Sequence, residues 1–163
     1  MAHTLTPIQQ ALRTDMLSSV DPDVIAARDA RNDTELARLY NLDSSFVVWR
    51  KAIPAMEFGK TVIYNAVAAL TTSNSTRVQV FAALNASDFN GSSDVDAFFT
   101  DTFSGALNGS GANCRAALSA MLRRNATRAE ALLATGSGST NNPGELVYIG
   151  QVSTNDIGNA LNP

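Results

Sequence analysis

The chain has 163 residues, about one domain's length and enough to bury a real core. Hydrophobic residues make up 45% and charged residues only 17%, with a net charge of −3. That balance argues against a nucleic-acid binder, which needs a basic face to displace counterions, and no apolar run reaches the roughly 18 residues of a membrane span.

Asn, Ser and Thr stand where charge is missing. A surface of this kind suits a subunit whose neighbours cover it, and equally a neutral monomer. The opening MAHTLTPIQQALRTD has neither a basic n-region nor an apolar h-region, so a cytosol-like compartment is expected, and the N-x-S/T triplets read as loop and cap chemistry. The one cysteine, Cys114, allows no intrachain disulfide and falls on the apolar face of a helix as a small hydrophobe.

In chain order, Thr6 caps a first helix with Pro7 at its first position and Ile8, Ala11, Leu12 and Met16 on one face. Asp21-Pro22 repeats the signal for a second helix through Val24, Ile25 and Ala27. Asn32 or Asp33 caps a third, with Leu36, Leu39 and Tyr40 on its apolar side. Phe46, Val47, Val48 and Trp49 are β-formers, too continuous for an amphipathic helix, and read as an extended or buried connector ended by Pro54. Trp49, next to Arg50, is either an exposed partner anchor or a core tryptophan.

A short helical turn and a helix near 74–85 follow, patterned by Arg77, Val78, Phe81, Ala82 and Leu84. Asn90-Gly91 predicts a turn with positive φ, and Ser93 a cap for an acidic-first helix. SGALNGSGAN is a glycine-rich break and the best boundary candidate. The strongest helical pattern is NCRAALSAMLRRNATRAEALLATG, with Asn125 or Thr127 placed to cap a restart, so it reads as one kinked helix or two. Gly136 falls where a C′ glycine belongs.

The run TGSGSTNNPGELVYIG raises the question of a phosphate loop. Phosphate loops run from strand through glycine loop to helix, so that amides at the helix N-terminus face the anion. Here a helix precedes the loop and a strand-like ELVYIG follows it, which makes the glycines a linker and a helix stop. The short strand either adds to the FVVW segment of the same chain or pairs with another subunit. Ser153 to Asp156 form a capping-box pattern for a final helix through Ile157 and Leu161.

No catalytic or metal set assembles. His3 precedes the first helix, and one histidine and one cysteine far apart make no zinc site. Asp94, Asp96 and Asp101 read as a solvated helix start. Arg124 and Arg128 share a helical face, near Glu130, as solvated charge or as contacts to an acidic neighbour. The fold expected is mainly α: a compact multi-helix bundle with a short β segment, a helical body over 1–135 and a tethered C-terminal arm over 136–163, in a single domain.

Two blocks, FVVWRKAIPAMEFGKTV and NCRAALSAMLRRNATRAEALLATGSGSTNNPGELVYIGQVSTNDIGNALN, resemble a group of small proteins encoded among tailed-bacteriophage morphogenesis genes. In that group a Trp-Arg segment precedes the middle helices, and an R-x-A-T-R-A-E-x-L-x-A-T-G-x-G-T block leads into a short strand and last helix. The match covers roughly the last two thirds of the chain, and NATRAEALLATGSGST is its most specific part. The resemblance implies a head–tail connector: a non-enzymatic adaptor or head-completion subunit, without cofactor, in a twelve-fold ring on the portal protein. Its partners are then its own copies, the portal and tail or neck proteins, with DNA only passing through the lumen. On this view Trp49, Arg50, Arg124, Arg128 and the arm residues Leu146, Val147, Tyr148 and Ile149 make the partner contacts. A tail completion or terminator protein and a soluble helical binding module are the alternative readings.

Overall fold

The structure, a computed structural model, describes residues 4–104 and 109–162. Its described residues form ten helices and four short strands, a mainly α fold with a small β part and a tethered C-terminal helix. The packing divides the chain into two units, residues 1–48 with 125–163 and residues 49–124. The chain crosses between them within β1 (Asp43–Trp49) and β4 (Arg123–Thr127), which pair in a two-stranded sheet. Neither crossing coincides with the boundary expected near 135, nor with the glycine-rich break, of which residues 105–108 lie outside the described residues.

In the first unit, α1 (Pro7–Ser18), α2 (Pro22–Asp29) and α3 (Asp33–Tyr40) follow one another as their caps dictate. Thr6 and Gln9 form a reciprocal capping box, Asp21 accepts from the Asp23 N–H, and Asn32 accepts from the Glu35 N–H. Leu12, Met16, Val24, Leu36 and Tyr40 are buried together. Burying each of the aliphatic side chains stabilises the unit by roughly 1.5–3 kcal/mol relative to exposure. The same core takes in α9 (Arg128–Leu133) through Ala129 and α10 (Thr154–Leu161) through Ile157 and Ala160.

Thus α10 is tethered yet bound back onto the first unit. Its last carbonyls, at Ala160 and Leu161, accept from the Arg13 guanidinium at 2.8 and 3.3 Å, a cation at the negative end of the helix. The Asn41 side-chain amide exchanges two hydrogen bonds with the Val152 backbone, at 2.8 and 2.9 Å, as a strand partner would. Asp156 closes a capping box with Ser153 and accepts from Gln9 Nε2 at 3.1 Å. Those bonds hold the Asp156 carboxyl below its ordinary 3.8, the Ser153 hydroxyl contributing most. Asp156→Ala is expected to cost about 1 kcal/mol at neutral pH. Because the folded pKa is depressed, this contribution is present above 3.8 and lost as pH falls through the folded value. The gap between parent and variant in urea unfolding should therefore close on acidification below pH 3.8.

The tether itself is pinned. The Val47 N–H donates to Gly138 O at 2.7 Å, and the Gly144 N–H donates to Val47 O at 2.8 Å. Val48 bridges Gly144 and Thr135 bridges Glu145, so the two ends of the loop are held together over β1. Phe46 lies between the glycines: a Cβ at Gly138 would stand 2.3 Å from its ring, and one at Gly144 would stand 2.4 Å away. Gly138 also has φ +64, open to glycine without cost. The glycine-rich stretch, expected as a linker, is a clasp around an aromatic ring.

This pinning explains two departures from expectation. Residues 146–149 form no strand, because the backbone groups of Val47 are already taken by Gly138 and Gly144. Gly136 has φ +93 but does not cap α9, which ends at Leu133 with Ala134 extended. The long helical pattern over 113–135 is also broken. It becomes α8 (Gly109–Met121), then β4, then α9, because pairing with β1 outweighs the helical propensity of the arginines. Thr127 does cap the restart, in a capping box with Glu130.

The second unit contains β2 (Ile53–Pro54) paired antiparallel with β3 (Asp88–Phe89), together with α4 (Ala55–Thr61), α5 (Tyr64–Ala68), α6 (Thr72–Leu84), α7 (Ser93–Thr102) and α8. Ser92, one residue earlier than predicted, caps α7. Its core is aromatic: Phe58 stacks on Phe99 at 5.6 Å and Phe81 meets Phe99 edge-on at 5.2 Å. Cys114 is fully buried there, as its pattern predicts; burial raises its thiol pKa, and its Sγ accepts from the Ile63 N–H at 3.4 Å. Gly91 lies in a crossing of backbones and lacks the expected positive φ. Its N–H donates to Arg50 O at 2.8 Å, the Arg50 N–H donates to Leu122 O at 2.8 Å, and a Cβ would meet Leu122 O at 2.5 Å.

Candidate interaction surfaces

Trp49 is buried at 7% exposure, which removes it as an exposed anchor. The Arg123 guanidinium lies over its ring at 5.1 Å and pairs with Asp96 at 2.6 Å. Arg123 also donates to Ser119 O at 2.7 Å, and the Ser119 hydroxyl donates to Asp96. Asp96 is thus part of an internal network, where a solvated helix start had been expected. Arg50 is likewise turned inward on its own unit, bidentate to Glu57 with one bond at 2.9 Å and a further bond to Met121 O at 3.1 Å. Its hydrogen bonds to Glu57 raise the Arg50 pKa and lower that of Glu57.

Arg124 and Arg128 do not share a helical face. Arg124 is half-buried in β4, while Arg128 opens α9. Arg128 pairs with Asp21 at 2.7 Å and lies over Tyr40 at 5.3 Å. The hydrogen bond from Arg128 holds Asp21 below the ordinary carboxylate range. Burial, then a hydrogen bond to Asp15, pushes Tyr40 strongly upward, so it stays a protonated donor. His3 lies outside the described residues. Among the described residues no three His, Cys, Asp or Glu side chains group as metal ligands would, and no helix is long and apolar enough to cross a membrane.

The arm residues behave differently. Leu146 and Tyr148 are half-buried, Tyr148 packing against the first unit's core, while Val147 and Ile149 are 69% and 60% exposed. The alternation leaves two apolar side chains pointing away from their own unit.

Sequence reasoning missed a second apolar surface. On α6, Val80 and Leu84 are 51% and 80% exposed, and with Arg77, Phe81 and Phe98 they line a groove of about 260 Å³. Arg77 lies over the Phe98 ring at 5.2 Å at its edge. The signal was present in the excess of apolar residues at 78, 80, 81 and 84, more than one buried stripe needs. A separate hollow of about 480 Å³ between α1 and α9 is lined by Ala11, Leu132 and Leu133 with polar Gln10, Thr14 and Asp15.

Comparison with known protein families, with curated proteins and with solved structures finds no match.

Proposed function

We propose that this chain is a structural subunit of a tailed-bacteriophage virion, an adaptor or head-completion protein that assembles into a ring between portal and tail. The observation that carries the assembly reading is the exposed apolar surface. On α6, the exposed Val80 and Leu84 lie together with Phe81 and Phe98 in one apolar groove, on a chain only 17% charged. Monomers rarely leave contiguous apolar patches open, and such patches mark faces that a partner covers. The phage assignment comes from the resemblance of the Trp-Arg and NATRAEALLATGSGST blocks. On this reading the protein works by fit, without turnover or cofactor, and is assembled in the host cytoplasm into the head–tail junction, where DNA passes through the lumen.

Sedimentation velocity of the purified chain, alone and with portal rings, tests it. Self-association or co-sedimentation with the ring is expected. A strict monomer that leaves portal rings bare overturns the reading.

A further inference from the structure

We propose that the α6 groove is the seat for the outward face of residues 145–149 of a second copy of this chain. The proposal rests on the assembly reading above and names one contact within it.

Both surfaces are apolar and exposed, and along the chain each presents one charged residue followed by two apolar ones. Glu145, Val147 and Ile149 are the exposed positions of the arm, alternating with half-buried Leu146 and Tyr148. Arg77, Val80 and Leu84 follow one another on one side of α6, and helical steps of three and four residues advance by about 4.5 and 6 Å. Taken in the same order, the two apolar side chains of the arm meet the two of the helix, Val147 on Val80 and Ile149 on Leu84.

Charge sets the direction. Arg77 is the single charged residue of α6, and Glu145 is the single charged residue between 134 and 153. In the register that places Ile149 on Leu84, Glu145 falls at Arg77; the reverse direction moves the carboxylate to the far, uncharged end of the helix. A contact between two different surfaces of identical chains is heterologous, and it closes into a ring when the rotation per copy allows.

The test uses the full chain. Leu84→Cys and Ile149→Cys proteins, with different mass labels, are mixed under mild oxidation; the buried Cys114 offers no competing thiol. Cross-links joining the two labels are expected. Links only between like labels, no links, or a doubly substituted chain that closes on itself as a monomer would each overturn the proposal. In a second arm, Arg77→Glu and Glu145→Arg are each expected to weaken self-association about tenfold, and the double reversal to restore it. Far-ultraviolet circular dichroism and urea unfolding confirm that each variant is folded. A double reversal no better than the single ones overturns the pairing. Association that persists unchanged through all these variants removes this contact and leaves the assembly reading intact. A parent that neither self-associates nor binds portal rings removes both.

Discussion

Gly144→Ala is expected to destabilise the first unit by about 3 kcal/mol, the cost of forcing atoms into a filled site. The added methyl would stand 2.4 Å from Phe46 Cε1 and 2.6 Å from Thr135 O. A ring can turn aside, but the Thr135 carbonyl belongs to the backbone bridge with Glu145 and cannot move without breaking it. The loss should appear as a lower urea midpoint with an unchanged slope. For a chain of this size it should also lower Tm by roughly 6–12 °C. Phe46→Ala in the Gly144→Ala background relieves only the ring clash, so it should recover little. Full recovery would show that the ring alone, and not the carbonyl, sets the requirement for glycine. A variant as stable as the parent would mean that the clasp is not closed in solution.

The second large effect is expected at Asp96. Removing one partner of a buried ion pair strands the other, at a cost of about 3–5 kcal/mol when burial is complete. The Asp96 and Arg123 side chains are 21% and 15% exposed, so solvent screens part of this, and about 2 kcal/mol is expected for Asp96→Ala. Arg123 would keep the Ser119 carbonyl and the Trp49 ring but lose its counter-charge, while the Ser119 hydroxyl would lose its acceptor. Glu57→Ala, which breaks the more exposed pair with Arg50, should cost about 1 kcal/mol or less. A double-mutant cycle between Asp96 and Arg123 isolates the pair from packing. Coupling near zero there would make the network a surface feature.

These two sites also show how far the residues could be read in advance. The caps were legible: Thr6, Asp21, Thr127 and Ser153 each open a helix, because a hydroxyl or carboxylate ahead of a helix answers an unpaired N–H of its own first turn. The buried Cys114 and the apolar stripes of α1 and α3 were legible for a similar reason, since helical period and burial are linked within a few residues. Among the residues expected at partner contacts, the structure separates exposed side chains from engaged ones. Val147 and Ile149 stand outward, whereas Trp49, Arg50 and Arg128 are engaged within their own units.

What the sequence by itself determined is therefore the mainly α class, the starts of most helices and the capped C-terminal helix, all governed by groups that meet along a short stretch of chain. Tertiary structure decided the rest. It turned RRNAT from helix to strand by offering it β1, denied residues 146–149 a strand by occupying Val47, and drew Asp96 onto Arg123. It also gave Gly138 and Gly144 their purpose, because the Phe46 ring they enclose is more than ninety residues away in the chain. Contacts of that span depend on how whole elements pack, and no local spacing encodes them.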